Sequence, residues 1–191
     1  GCQAKTYNYL QYKLLKTILT HRIFVMEQTT ALVRIDDPRV ILDLRYCTTN
    51  NITKKIISNI KEVYLTENAG NKLLLAVDKL YLAGYKLVVW DSYRTKATQS
   101  ELRLVCSDDN FVARDSHHCK GLAIDVSLAD MNGVFSDMGT DFDDFSPNAF
   151  STAQNITQLS KNNRKILKGA MESNGFEQDK YEWWHFNFKH S

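Results

Sequence analysis

Residues 121–128, GLAIDVSL, alternate without a break: Leu122, Ile124, Val126 and Leu128 fall on one side, Ala123, Asp125 and Ser127 on the other. A period of two over eight residues is a β-strand with one apolar face, so Asp125 points away from that face. Ala123, one pleat earlier on the same side as Asp125, is small and leaves room beside the carboxylate. The preceding residues, 115-DSHHCK-120, put His118 just ahead of the strand. An imidazole and a carboxylate this close in sequence are either a hydrogen-bonded core pair or two ligands of a metal.

The rest of the chain mixes helices and strands without a regular βαβ alternation. Residues 7–26 have Leu10, Leu14, Leu15, Ile18 and Leu19 at near-helical spacing. Residues 71–85 read as a helix capped by Asn71, with apolar positions at 73, 74, 77, 80 and 81 and a stop at Gly84. The run 86-KLVVW-90 reads as a buried strand, 156–173 as a helix ended by Asn174-Gly175, and 181-YEWWHFNF-188 as a closing strand. These elements predict an α+β fold with a small central antiparallel or mixed sheet flanked by helices. Nothing divides the chain: it contains two prolines, Pro38 and Pro147, and no repeat or low-complexity tract.

Composition narrows the function. A chain of 191 residues, 43% hydrophobic, fills one core, and one domain is expected. A net charge of +2 with scattered Lys and Arg offers no field for a nucleic acid, and no apolar run approaches the roughly 20 residues of a membrane span. Cys2, Cys47, Cys106 and Cys119 include no CxxC pair, so an all-cysteine zinc site is not expected, and no disulfide framework is read from them. Gly1-Cys2 resembles the cleavage site of a bacterial lipoprotein precursor, which predicts an exported, cell-envelope protein; an ordinary cysteine after a cloning residue, and a cytoplasmic location, is the alternative. No oligomeric state follows from the sequence.

A catalytic zinc site has three protein ligands and one open position, and His185 in 182-EWWHF-186 is the natural third to His118 and Asp125: a histidine among aromatics needs a polar partner once buried. Glu182 lies three residues before it. In an ideal strand the two would face opposite ways, so a bend near Trp183 is expected. Arg94, in 90-WDSYRT-95, directly follows an apolar strand, where active-site loops begin. His117 is read as a neighbour rather than a ligand, and Trp183 and Trp184 as packing.

The motifs S-x-H-x-x-G-x-A-x-D (Ser116, His118, Gly121, Ala123, Asp125) and E-x-x-H with a double tryptophan (Glu182 to His185) resemble those of the zinc D-alanyl-D-alanine dipeptidases of the VanX type. The resemblance extends to 43-DLRYCTTNNIT-53, 90-WDSYR-94, 138-MGTDFDDFS-146 and 171-MESNGFE-177, in order over most of residues 40–188. It implies a single zinc ion held by His118, Asp125 and His185, with Glu182 as general base and acid and Arg94 as hydrogen-bond donor to the developing oxyanion. Asp143 and Tyr46 match the positions that hold the substrate's amino end, and Ser116 is a candidate polar contact. Trp183, Trp184 and Phe186 are expected to wall the cavity. The expected partner is a small dipeptide, D-Ala-D-Ala, split into two D-alanines in cell-wall peptide metabolism or glycopeptide resistance. A D,D-carboxypeptidase or endopeptidase acting on longer stem peptides is the alternative, and a non-catalytic zinc-stabilised binding module a third. The resemblance sets residues 1–35 apart as an N-terminal extension, partly helical, from a catalytic domain over 36–191. The segment between Arg94 and Ser116 is short for this family, which bears on one wall of the pocket.

Overall fold

A computed structural model describes residues 31–189; the helix expected over 7–26 and the Gly1-Cys2 pair lie outside the described residues. Within them the chain forms β1 (Leu32–Ile35), β2 (Val40–Leu42), β3 (Val63–Thr66), α1 (Glu67–Leu82), β4 (Tyr85–Asp91), α2 (Lys96–Val105), β5 (Ala123–Asp130), α3 (Gln158–Glu172), β6 (Phe176–Gln178) and β7 (His185–Phe188). Five strands make a mixed sheet in the order β2-β4-β5-β7-β6, in which only the β2–β4 pair is parallel. β1 pairs antiparallel with β3 in a separate two-stranded sheet, so Leu32–Ile35, at the end of the segment set apart as an extension, are built into the folded unit that begins at Leu32. The architecture is α+β, as the unordered mixture of elements predicts.

α1 packs on β4 and α3, and α3 packs on β5 and β6. The core between them is filled by Leu73, Val77 and Leu80 of α1, Leu87 of β4, Ile124, Val126 and Leu128 of β5, and Leu167 and Met171 of α3. β5 is buried from Ala123 to Ala129, on its polar side as well as its apolar one. The alternation correctly put Asp125 opposite the apolar side chains, but that opposite face is enclosed by protein rather than open to bulk water.

Two boundaries differ from the sequence reading for identifiable reasons. α1 starts at Glu67, so Asn71 lies inside the helix and Thr66 stands at its N-terminus. Gly70 and Asn71 are poor helix formers, yet a Cβ at position 70 would come within 2.8 Å of Ile35 Cδ1 and 3.1 Å of Val33 Cγ2. The glycine marks the close approach of β1, not a helix start. The closing strand is also shorter than expected. Residues 183 and 184 form a turn, closed by the His185 amide donating to the Glu182 carbonyl at 3.2 Å, and the strand begins only at His185. This is the bend that the spacing of Glu182 and His185 demands.

Gly121 is the hinge between His118 and β5. It ends a 3₁₀ turn over His117–Lys120 in the left-handed region, φ 67°, and its carbonyl accepts the Thr66 amide at 2.9 Å. An added Cβ would meet the Thr66 nitrogen at 3.1 Å and Leu32 Cδ2 at 2.3 Å. Gly121→Ala is therefore expected to cost roughly 1–3 kcal/mol, seen as a thermal midpoint lowered by several degrees. An unchanged midpoint would mean that the turn has an alternative conformation open to alanine.

Candidate active site

Three side chains converge where β4, β5 and β7 lie side by side. Register sets Asp91 opposite Asp125 and Asp125 opposite His185. His118 arrives from the 3₁₀ turn, where Ser116 Oγ accepts the His118 amide at 3.3 Å. His185 Nδ1 lies 2.9 Å from Asp125 Oδ1 and 3.1 Å from His118 Nε2, and His118 Nε2 lies 3.4 Å from Asp125 Oδ1. Ligands bound tetrahedrally to one zinc at about 2.0–2.1 Å are about 3.3 Å apart, so the triangle is already close to the size a metal requires.

The outward nitrogens indicate where the imidazole protons sit. His118 Nδ1 is 2.6 Å from the Ser92 carbonyl, which can only accept, so Nδ1 is the donor and Nε2 keeps its lone pair. His185 Nε2 is 3.1 Å from Asn187 Oδ1; with that oxygen accepting, Nε2 carries the proton and Nδ1 is left unprotonated. With both rings neutral, two nitrogen lone pairs and a carboxylate oxygen face one another with nothing between them. Such a cluster calls for a positive charge. Burial works against a charged His185, but the hydrogen bond to Asp125 and the negative charges of Asp125, Glu182 and Asp179 together outweigh it and push the imidazole up to about 9. Burial would raise the Asp125 carboxyl too, yet the two imidazoles hold it below the usual carboxylate range. His118, Asp125 and His185 can together hold a metal ion in the place such a proton would take.

Arg94 is buried beside this group. Its Nε donates to Gln99 Oε1 at 2.7 Å, Nη1 to Asp91 Oδ2 at 2.8 Å, and Nη2 makes only a long 3.4 Å contact with Ser116 Oγ. Two of its five N–H groups are thus uncommitted. Burial opposes its charge, but Asp91, with Tyr46, Asp125 and Glu182, together more than offset this and keep the guanidinium protonated. Gln99 is itself held by the Ala113 carbonyl at 2.6 Å, so Arg94 is fixed from two sides. Asp91, which the sequence reading passed over, also approaches His118 Nδ1 to 3.3 Å. It reaches both because Trp90 is a bulge: the register jumps between Val89 and Asp91, and the bulge re-aims the aspartate.

Tyr46, Arg94, Ser116, Asp125, Asp143, Glu182 and His185 all line one cavity of about 190 Å³. His118, fully buried, lies behind it. Glu182 is 9% exposed, and burial pushes its carboxyl well above the usual range, with Asp125 adding to the effect and His185 opposing it. Asp143 sits at φ 59° in the left-handed region, with Oδ2 accepting the Ile52 amide at 2.8 Å and Oδ1 the Tyr46 hydroxyl at 3.3 Å. Burial raises its carboxyl to about 6 even so. The eight residues given metal, catalytic or substrate-binding roles from the sequence therefore lie in or against one cavity.

The aromatic wall differs from the expectation. Trp183 and Phe186 are fully buried and do not line the cavity; Trp184 does, together with Phe142, Phe111 and Phe145. Trp183 and Trp184 pack with Trp90 at centroid separations of 5.5 and 6.4 Å, the structural role read for them. Phe111 belongs to the short segment after α2 and meets Phe145, from the other side, at 4.6 Å between ring centroids. Arg103 pins that segment through Asp109 at 2.6 Å and through the Val112 carbonyl. Periodicity could not reveal Phe111 and Phe145, because both lie in irregular loops.

An α+β body with a His-Asp-His cluster, a buried glutamate and a fixed arginine around a small cavity has the composition of a metallopeptidase site. Residues 30–191 match the sequence model of the peptidase M15 family, described as D-ala-D-ala dipeptidase. The chain belongs to that family and is a peptidase. The D-alanyl-D-alanine dipeptidase of Escherichia coli K12 is 32% identical over 166 residues, 84% of this chain and 86% of the relative. That of Enterococcus faecalis V583 is 30% identical over 168 residues, 75% of this chain and 83% of the relative. Among solved structures, the LdcB LD-carboxypeptidase aligns with a TM-score of 0.48 at 20% identity, over 82% of this chain and 67% of its own.

Proposed function

We propose that the chain is a zinc-dependent dipeptidase that hydrolyses D-Ala-D-Ala to two D-alanines. The observation that carries the reading is the cavity: at about 190 Å³ it is smaller than the roughly 300–1,000 Å³ of sites for drug-sized ligands, and it holds a three-donor metal cluster, a high-pKa carboxyl and a fixed guanidinium together. His118, Asp125 and His185 would hold the ion, two imidazoles and a carboxylate being ligand types zinc accepts. When bound, zinc supplies Lewis-acid activation of water and of the scissile carbonyl.

The chain's own groups do the rest. The Glu182 carboxylate takes the proton of the attacking water and, as the carboxylic acid so formed, delivers it to the departing amine nitrogen; burial raises its proton affinity and so makes the ionised form the stronger base. The uncommitted N–H groups of Arg94 donate to the oxygen on which charge develops, and Asp91 and Gln99 fix the guanidinium before the reaction starts. Asp143 accepts the free ammonium of the dipeptide. Tyr46 stays protonated, because burial and the Asp143 carboxylate both push its hydroxyl up, and so it donates to Asp143 rather than repelling it. Ser116 is within reach of the Arg94 side of the cavity and supplies a further polar contact. Phe111 and Phe145, in contact with each other on the cavity lining, restrict what can extend from the dipeptide.

The test is release of D-alanine from free D-Ala-D-Ala, N-acetyl-D-Ala-D-Ala and a stem pentapeptide, each with and without chelator. The free dipeptide is expected to be cleaved, chelator to abolish cleavage, and the two extended substrates to be processed poorly, since each leaves the buried Asp143 carboxylate without its ammonium. Asp143→Asn should lower kcat/KM on the free dipeptide on the order of 10²-fold and narrow its advantage over the acetylated one. Equal rates on all three substrates would replace the dipeptidase reading by a D,D-carboxypeptidase.

A further inference from the structure

Asn187 stands two residues after His185 on β7, and so on the same face of the strand. Register places it opposite Ala123, the small residue beside Asp125. The amide fills the room that Ala123 leaves. Its Oδ1 lies 3.1 Å from His185 Nε2 and 2.9 Å from His117 Nδ1, so one carbonyl oxygen faces two imidazoles.

The direction in which this amide points decides the chemistry of His185. With Oδ1 toward His185, the ring must carry its proton on Nε2, and Nδ1 presents a lone pair to His118 and Asp125. With the NH2 group there instead, Nε2 would have to accept, the proton would sit on Nδ1, and His185 would donate to Asp125 Oδ1 at 2.9 Å. That second tautomer is a hydrogen-bonded core histidine and has no lone pair for a metal. His117 Nδ1 lies 2.9 Å from the same oxygen, and in the tautomer that carries its proton there it donates to Asn187 Oδ1 and holds that oxygen turned inward. The adjacent histidines thus separate in role, His118 contributing to the cluster and His117 to the group that orients it.

We propose that Asn187, clamped by His117, is a positioning residue that fixes the His185 tautomer and keeps Nδ1 free to bind the metal. The inference rests on the zinc reading given above. Outer partners of this kind typically change metal affinity by about 10–100-fold when removed.

The experiment measures zinc affinity of the full chain by competition with a chromophoric chelator, independently of turnover, with the thermal midpoint of each metal-free protein as a check on folding. Asn187→Leu, similar in size but without an acceptor, is expected to bind zinc about 10–100-fold more weakly than the parent. Asn187→Asp keeps an acceptor oxygen and is expected to bind at least as tightly as the parent. His117→Phe removes the clamp and should fall between parent and Asn187→Leu. Zinc binding by Asn187→Leu within threefold of the parent would overturn the proposal. So would an Asn187→Asp protein as weak as Asn187→Leu, because packing rather than the acceptor would then be at issue. A parent protein that binds no zinc would instead bring down the zinc reading and this inference together, an outcome distinct from either of those.

Discussion

Glu182→Gln is expected to retain zinc and fold while losing roughly 10²–10⁴-fold in kcat on D-Ala-D-Ala. The substitution keeps the shape of the side chain and removes its ability to take and return a proton. Glu182 is held in place from its main chain, its amide donating to Asp179 Oδ1 at 3.2 Å and its carbonyl accepting from the His185 amide, and neither contact depends on the carboxyl. Burial already disfavours the ionised carboxylate, so the neutral amide should sit in the same pocket without loss of stability. A 10³-fold loss corresponds to about 4 kcal/mol of barrier. Steady-state kinetics beside a zinc titration separates the outcomes: activity close to the parent would remove Glu182 from the proton transfer, and loss of zinc would make it part of the metal site.

His118→Ala is expected to lose zinc and, with it, all turnover dependent on the metal. It leaves two of the three donors, and Asp125 and His185 are then 2.9 Å apart with no third group to complete the site. His118 is wholly buried and its Nδ1 holds the Ser92 carbonyl, so the variant also leaves an unpaired acceptor and a small void next to Arg94. Elemental analysis after dialysis should find about one zinc per chain in the parent and a small fraction of that in the variant. Stoichiometric zinc held as firmly as in the parent would refute the ligand assignment, whatever happened to activity.

How much of this was legible depended on distance along the chain. The strand carrying Asp125 was readable from its own residues, because its alternation is local and the pleat is set by neighbours within a few positions; it starts at Ala123 rather than at Gly121, which ends a 3₁₀ turn. The bend between Glu182 and His185 was legible only with the resemblance, which brings both to one site: residues three apart on a straight strand would face opposite ways. Local rules also misled. Gly70 and Asn71 look like a helix boundary and are instead the point where β1 closes on α1. The run 181–188 has the composition of one long strand, yet its first half turns away, with the Trp183 amide donating to the Ala149 carbonyl.

By itself, then, the sequence determined the α+β class, the polar side of the strand carrying Asp125, and, through its resemblance to known peptidases, the residues to look for. Only the tertiary structure decided that Asp91 is turned onto Arg94 and His118 by a bulge, that Phe111 meets Phe145 on the cavity lining, and that Asn187 stands opposite Ala123. Each of these is a pairing between segments tens of residues apart. Strand register and loop closure set such pairings, and they depend on the packing of the whole body: a shift of one residue in β7 would leave its sequence unchanged and carry His185 to the opposite face of the sheet.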